Sequence, residues 1–215
     1  MQVRIDRDRL LSDIEMLASF SDGTPPGISR LVFADADQEA RIWLRAQCRD
    51  AGLSVREDAV GNMFARWTGA RPELGAIGTG SHIDAIPHSG KFDGTVGVLG
   101  GLEAIRALRQ SGFQPQRSIE LLLFTAEEPT RFGLGCLGSR MLGGGLDSAA
   151  DTRLRDPEGN SLAQLRAAGF APRAESEDGT VIVETRRPHH SIGIRRTRAR
   201  SSVTSPEQLA QLLRP

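Results

Sequence analysis

Five side chains able to bind metal ions or to move protons occur in three short motifs of this sequence. His82 and Asp84 lie at and just beyond the end of a predicted strand, Asp93 precedes a glycine-rich segment, and Glu127 and Glu128 follow an apolar segment. In an α/β sheet, ligand sites lie beyond the carboxyl ends of parallel strands. We therefore expect these five residues to converge from separate loops on one cleft.

Such a cluster has the chemistry of a site for a pair of divalent metal ions. Imidazole nitrogens and carboxylate oxygens bind Zn²⁺ or Mn²⁺, and two such ions can activate a shared water and polarise a carbonyl group. One of Glu127 and Glu128 can then bind metal while the other transfers the proton. Asp84 stands two residues beyond His82, where it can accept the second ring N–H and fix the tautomer.

Each motif also has a purely structural interpretation. A single His-x-Asp occurs by chance, an Asp-Gly before a helix is commonly a cap or turn, and a Glu-Glu pair after a strand is commonly a solvated loop. His88, on the same loop as His82, could equally face a substrate or the solvent. The metal-site hypothesis therefore depends on the three motifs lying together in the fold.

The segments that must position these residues alternate between helical and extended patterns. Apolar periodicity predicts helices over residues 8–20, 35–52 and 94–108, with short helices at 136–142 and 161–168. Strands are predicted over residues 53–60, 62–67, 74–82 and 118–125, and the last of these is apolar enough for a central strand covered on both faces. The alternation predicts an α/β fold of three layers, with a mostly parallel sheet and flanking helices.

Composition and charge argue against several classes of protein. The chain has 215 residues, of which 39% are apolar and 25% charged, and it has no apolar run long enough to span a membrane. Two cysteines and the lack of an apolar N-terminal signal favour a reducing, cytoplasmic location. The net charge of zero combines −6 over residues 1–185 with +6 over residues 186–215. We expect no nucleic-acid and no membrane partner.

Two stretches of the sequence carry a specific resemblance to a known family. The stretches are GSHIDAIPHSGKFDGTVGVLGGLEAIRAL and FTAEEPTRFGLGCLGSRML. They strongly resemble the dinuclear metal amidohydrolases of the N-carbamoyl-amino-acid hydrolase and allantoate amidohydrolase family. That family belongs to the aminoacylase-like zinc peptidase superfamily. The segments SHIDAIPHSGKFDG and TAEEPTRFG are most similar to ureidoglycolate and allantoate amidohydrolases. The resemblance covers residues 8–170 and implies a zinc-peptidase-like catalytic domain.

The resemblance implies a role for each of the five residues. His82 would bind one metal ion, Asp93 would bridge two, and Glu128 would bind the second, the ions being Mn²⁺ or Zn²⁺. Glu127 would be the general acid/base that takes a proton from a metal-bridged water and delivers it to the leaving nitrogen. Asp84 would orient His82. The implied reaction is hydrolysis of a linear C–N bond in a small ureido substrate, ureidoglycolate or allantoate.

The chain also departs from the family pattern. Members are substantially longer, have a lid and dimerisation domain through which they form homodimers, and supply further metal-binding histidines downstream. Neither downstream motif is present, and the neighbours of His189 and His190 do not match either one. We therefore expect an incomplete, N-terminal part of the catalytic domain over residues 1–185, without the lid. A basic tail follows over residues 186–215, and its composition predicts disorder.

Three alternatives to a ureidoglycolate or allantoate amidohydrolase stay open from the sequence. The nearest is an N-carbamoyl-L-amino-acid hydrolase, which a substrate panel would separate. The second is a truncated, inactive remnant of such an enzyme, suggested by the absent downstream motifs. The third is nucleic-acid contact through the RRTRAR segment of the tail, although no aromatic residue lies among its arginines.

Overall fold

Helices and strands alternate along the part of the chain that the structure, a computed structural model, describes: residues 3–146 and 153–169. The helices are α1 (Arg7–Ser19), α2 (Asp35–Asp50), α3 (Thr95–Gln110), α4 (Leu137–Leu142) and α5 (Leu162–Gly169). The strands are β1 (Ile28–Arg30), β2 (Ser54–Glu57), β3 (Met63–Trp67), β4 (Ile77–Ser81), β5 (Ala85–Ser89) and β6 (Ile119–Leu123). Within these residues, no helix has the length and apolar character needed to cross a membrane.

Four strands form one mixed sheet in the order β2-β3-β6-β4. The apolar strand β6 lies inside this sheet, antiparallel to β3 and parallel to β4, in agreement with its predicted central position. The predicted α/β class is confirmed. Two of the three pairings among the described strands of this sheet are antiparallel, however. β2 and β3 are joined by a short turn that makes them antiparallel neighbours, and β3 also pairs antiparallel with β6.

Helix α3 lies close against the sheet because glycines occupy part of the face that contacts it. A Cβ atom on Gly97 would lie 2.6 Å from the Cβ of Ser81, and one on Gly101 would lie 2.8 Å from Leu121 Cδ1. The inward face of the helix also buries a row of apolar side chains, Val98, Leu99, Leu102, Ile105 and Leu108. The first turn of α3 therefore lies beside the end of β4, which leads directly into His82.

Two strands lie where the sequence analysis predicts none. β1 and β5 pair antiparallel and form a separate two-stranded sheet. Their shortness and the proline at position 87 leave no alternating apolar pattern to detect. Because β5 begins immediately after the His82–Asp84 segment, this small sheet fixes the course of the chain as it leaves the site.

The remaining elements agree with the predicted segments to within a few residues. Helix α1 begins after Asp6, whose side chain accepts the Arg9 N–H at 3.0 Å. Gly52, the last residue of the helix predicted over residues 35–52, follows α2 with φ +75°, a conformation typical of a glycine that ends a helix. The predicted basic tail, the boundary at residue 185 and His189 with His190 lie outside the described residues, and they stay predictions.

Candidate metal centre

His82 lies directly after β4 and is buried, with 6% of its surface exposed. Its Nδ1 is 2.9 Å from the main-chain carbonyl oxygen of Asp84, and because a carbonyl oxygen can only accept, Nδ1 carries the proton. The Asp84 carboxylate is further from Nδ1, at 3.6 Å. The hydrogen bond that orients the imidazole is thus made by the main chain of Asp84, and Nε2 faces the other residues of the site.

The carboxylate of Asp84 holds the opposite side of the site. Its Oδ1 accepts the main-chain N–H of Glu127 at 3.3 Å, and its Oδ2 accepts that of Glu128 at 3.0 Å. Asp84 is 2% exposed, so these donors satisfy a carboxylate that is removed from water. The segment after β4 is therefore joined to the segment after β6 through a residue predicted only to orient His82.

The side chains of His82, Glu127 and Glu128 converge on one point. One potential ligand atom from each lies within 4.8 Å of the other two, and His82 Nε2 is 3.5 Å from Glu127 Oε2. An imidazole nitrogen with two carboxylates is a donor set that Zn²⁺ and Mn²⁺ accept. The structure thus brings together three of the five predicted residues as a possible metal-binding cluster, with Asp84 supporting them.

Asp93 lies at the margin of this cluster. Its Oδ1 is 4.0 Å from His82 Nε2, and its side chain is 69% exposed. It reaches the same imidazole nitrogen as Glu127, but it does not belong to the group formed by His82, Glu127 and Glu128. Its predicted role as a ligand that bridges two metal ions therefore stays a prediction.

The site concentrates negative charge around one imidazole. Burial, followed by the neighbouring Glu127 carboxylate, raises the pKa of Glu128, with His82 opposing this shift. Burial by itself would lower the pKa of His82, but the Asp84 carboxylate and then Glu127 raise it to about 9. The carboxylates thus stabilise the protonated imidazole and, together with burial, disfavour ionisation of Glu128. A divalent cation placed among them would relieve the repulsion between the carboxylates.

Gly94 leaves open the space in front of the imidazole. It precedes α3 with φ +62°, a conformation that favours glycine. A Cβ atom at this position would lie 2.5 Å from Nε2 of His82, the nitrogen that faces the carboxylates. Any other residue would therefore block the atom that a metal ion must reach, and this open space is the feature of the fold that best fits bound metal.

Cys136 contacts the site, although no sequence pattern indicated it. Its Sγ is 3.3 Å from Glu127 Oε1, so the thiol donates a hydrogen bond to that carboxylate. Its main-chain N–H also donates to the Glu127 carbonyl oxygen at 2.7 Å. A single cysteine in a glycine-rich stretch carries no spacing signal, so only the fold reveals this contact. His88, by contrast, is exposed on β5, and its main-chain N–H donates to Ser29 Oγ at 3.0 Å.

Comparison with known proteins agrees with this fold. The profile of Peptidase family M28 matches residues 62–153, which include all five predicted site residues. A ureidoglycolate hydrolase of Arabidopsis thaliana is 49% identical over 174 residues, covering 81% of this chain and 37% of that protein. An N-carbamoyl-L-amino acid amidohydrolase of Geobacillus stearothermophilus is 36% identical over 182 residues, covering 82% of this chain and 44% of that protein.

A solved structure gives the same assignment. A hydantoinase/carbamoylase family amidase from Burkholderia ambifaria superposes with a TM-score of 0.76 at 36% identity, covering 79% of this chain and 42% of that one. The chain belongs to this family of amidases, whose named relatives are hydrolases acting on C–N bonds. It spans about two fifths of the length of the curated relatives it matches.

Proposed function

We propose that this chain provides the metal centre of an amidohydrolase that cleaves a linear C–N bond of a small ureido compound, ureidoglycolate or allantoate. The observation that carries the proposal is the convergence of His82, Glu127 and Glu128 on one point. The higher identity to a ureidoglycolate hydrolase than to an N-carbamoyl-L-amino acid amidohydrolase, 49% against 36%, supports the choice of substrate.

The donor set suits two divalent ions, Mn²⁺ or Zn²⁺. His82 would hold one ion through Nε2, Glu128 would hold the second, and Asp93, 4.0 Å from Nε2, would join them. When bound, such ions lower the pKa of water and polarise the substrate carbonyl group. Asp84 would keep the imidazole and the two glutamates in register, because it is hydrogen-bonded to both sides of the cluster.

Glu127 is the residue best placed to move the proton. Its side chain is 37% exposed, so it reaches the open cleft, and its Oε2 lies 3.5 Å from His82 Nε2. It would accept a proton from the attacking water as the new C–O bond forms. It would then deliver that proton to the nitrogen of the breaking C–N bond, which leaves as ammonia.

The metal part of the proposal is tested by titrating the purified chain with Mn²⁺ and Zn²⁺ in a calorimeter. Binding is expected for the wild-type chain and lost in His82→Ala. The matched control is His88→Ala, since His88 is exposed on the adjacent strand and lies outside the cluster. Equal binding by wild type and His82→Ala would overturn the assignment of the metal centre.

The catalytic part is tested by ammonia release from ureidoglycolate, allantoate and an N-carbamoyl-L-amino acid in the presence of Mn²⁺. Removing a general acid/base costs about 10²–10⁴-fold in rate, so Glu127→Gln should lose turnover to that extent. Glu39→Gln, an exposed glutamate on α2, is the control. Metal binding without turnover above Glu127→Gln would overturn catalysis by this chain while leaving the metal centre in place. Preference for the carbamoyl compound would overturn the choice of substrate.

A further inference from the structure

The segment that carries Glu127 and Glu128 is held by its main chain on two sides. Asp84 contacts its N–H groups, as described above. On the opposite side, the carbonyl oxygens of Thr125, Ala126 and Glu127 accept N–H groups at 2.8, 2.9 and 2.7 Å from the residues that begin α4. The positions of the two glutamates therefore depend on how this short segment, residues 125–128, is anchored.

A single buried amide, that of Asn62, joins this segment to two others. Asn62 is 1% exposed. Its Oδ1 accepts the main-chain N–H of Thr125 at 2.9 Å, while its Nδ2 donates to Gly138 O at 3.1 Å and to Asp58 Oδ2 at 2.7 Å. These partners use both N–H groups of the amide and fix its orientation. A Cβ atom on Gly138 would overlap Asn62 Oδ1, so the amide fills its site completely.

Asn62 ends a type of turn that occurs a second time in the chain, and comparing the two turns shows which contact of Asn62 the turn itself does not need. Residues 58–62 and 156–160 both follow the pattern Asp-x-x-Gly-Asn. In each turn, the aspartate side chain accepts the N–H of the asparagine, at 2.9 Å for Asn62 and 2.8 Å for Asn160. The turn thus needs the aspartate carboxylate and the main chain of the asparagine. The contact of the Asn62 side-chain amide with Thr125 is not needed to form the turn.

We propose that Asn62 is a positioning residue of the metal centre. By holding the N–H of Thr125, two residues before Glu127, it sets the register at which both glutamates reach His82. Arg41 adds a second restraint on the same residue, because its Nη2 lies 3.3 Å from Thr125 Oγ1. This inference rests on the proposed metal centre, and it adds a residue that lies outside the cluster itself.

The test exchanges the amide and the carboxylate of Asn62 and Asp58. In Asn62→Asp, Thr125 keeps an acceptor, but a carboxylate oxygen replaces Nδ2 and faces both Asp58 Oδ2 and Gly138 O. Adding Asp58→Asn restores a donor on the side of residue 58 and leaves Gly138 O without one. The matched control is Asn160→Asp, which makes the same change in the other turn. If Asn62→Asp does not fold, Asn62→Ala takes its place, since a water molecule can enter the space left by the amide.

Two quantities are measured for each folded variant: the dissociation constant for Mn²⁺ and the hydrogen-exchange rate of residues 125–128 without metal. Asn62→Asp should weaken Mn²⁺ binding by about tenfold or more, as for other residues that support metal ligands, and should speed exchange in this segment. The double variant should recover part of both losses, because it restores the contact with residue 58 and not the one with Gly138 O, and Asn160→Asp should change neither. Thermal unfolding is recorded in parallel to separate positioning from a general loss of stability.

The outcomes separate this inference from the proposed function. Wild-type Mn²⁺ affinity and wild-type exchange in Asn62→Asp would overturn the positioning role. Recovery of thermal stability in the double variant without recovery of affinity or exchange would do the same, because the role would then be structural only. If the wild-type chain binds no Mn²⁺, the proposed metal centre fails, and the exchange rates alone decide whether Asn62 anchors the segment.

Discussion

The carboxylate of Asp84 accepts the main-chain N–H of Glu128 at 3.0 Å across 44 residues of sequence. The main-chain carbonyl oxygen of the same residue accepts the Nδ1–H of His82 at 2.9 Å. A single residue thus fixes the imidazole through its backbone and the glutamate segment through its side chain. The geometry of the cluster depends on both carboxylate oxygens of Asp84, since each accepts a different N–H group.

Replacing Asp84 by asparagine should therefore loosen the cluster. The amide has one acceptor oxygen, so one of the N–H groups of Glu127 and Glu128 would face an NH₂ group and stay unsatisfied. A buried unsatisfied donor costs about 1–3 kcal/mol, and loss of a residue that supports metal ligands costs about 10–100-fold in metal affinity. Urea unfolding and Mn²⁺ titration measure the two effects. Asp50→Asn, at the exposed end of α2, is the control, and an unchanged Mn²⁺ affinity in Asp84→Asn would contradict the role assigned to the carboxylate.

Gly94→Ala should abolish metal binding and should also lower the stability of the fold. The residue adopts φ +62°, and a non-glycine residue in such a conformation costs about 1–2 kcal/mol. The new methyl group would also lie 2.5 Å from His82 Nε2 and would cover the nitrogen that a metal ion must reach. Gly90→Ala on the same loop is the matched control, because a Cβ atom there has no neighbour within 4 Å. Mn²⁺ titration distinguishes them, and equal affinities would contradict the assignment of Nε2 as a ligand.

The sequence predicted that His82, Glu127 and Glu128 would lie close together because each of them ends or follows a predicted strand. The apolar run of β6, the strand-like segment that ends at His82 and the periodicity of α3 are local signals, so His82, Asp93 and the two glutamates could be assigned to the ends of these elements before the fold was known. The central position of β6 was predictable for the same reason, since a strand covered on both faces is apolar throughout.

The contacts that complete the site were not predictable, because they depend on distant parts of the chain. Asn62 is 63 residues from Thr125, and Arg41 is 84 residues from it. The Cys136 thiol reaches Glu127 only because the chain turns back at the start of α4. The antiparallel pairings of β3 in the described part of the sheet were missed for a related reason. A short turn can join β2 and β3 only as antiparallel neighbours, and the alternation of elements does not reveal this pairing.

A buried ion pair beneath the glutamate segment gives a prediction for stability and its pH dependence. Arg41 Nε lies 3.0 Å from Asp37 Oδ2, and both side chains are at most 2% exposed. Removing one member of such a pair costs about 3–5 kcal/mol, so Arg41→Met should be destabilised by that amount near neutral pH. Arg45→Met is the control on the same helix, since its partly exposed pair with Glu57 should contribute only about 0–1 kcal/mol.

The cost of Arg41→Met should decrease as the pH is lowered. Burial raises the pKa of Asp37 even with Arg41 opposing that shift, and loss of the guanidinium removes the opposition. A carboxyl group whose pKa is higher in the folded state than in the unfolded state favours folding at low pH, and this contribution disappears as the pH rises through the folded-state pKa. Urea unfolding of variant and wild type at pH 5 and pH 8 tests this, and a larger difference at pH 5 would contradict it.

The two cysteines should react very differently with a thiol reagent. Cys48 is fully buried in α2, and burial raises its pKa to about 12, so it has neither access nor thiolate in the native protein. Cys136 is partly exposed, although its hydrogen bond to Glu127 raises its pKa and slows its reaction. The native chain should therefore react slowly with one equivalent of a disulfide reagent and with a second only after unfolding. Cys136→Ser should remove the first equivalent and keep the second, whereas rapid reaction of two thiols in the native state would mean that α2 does not pack as described.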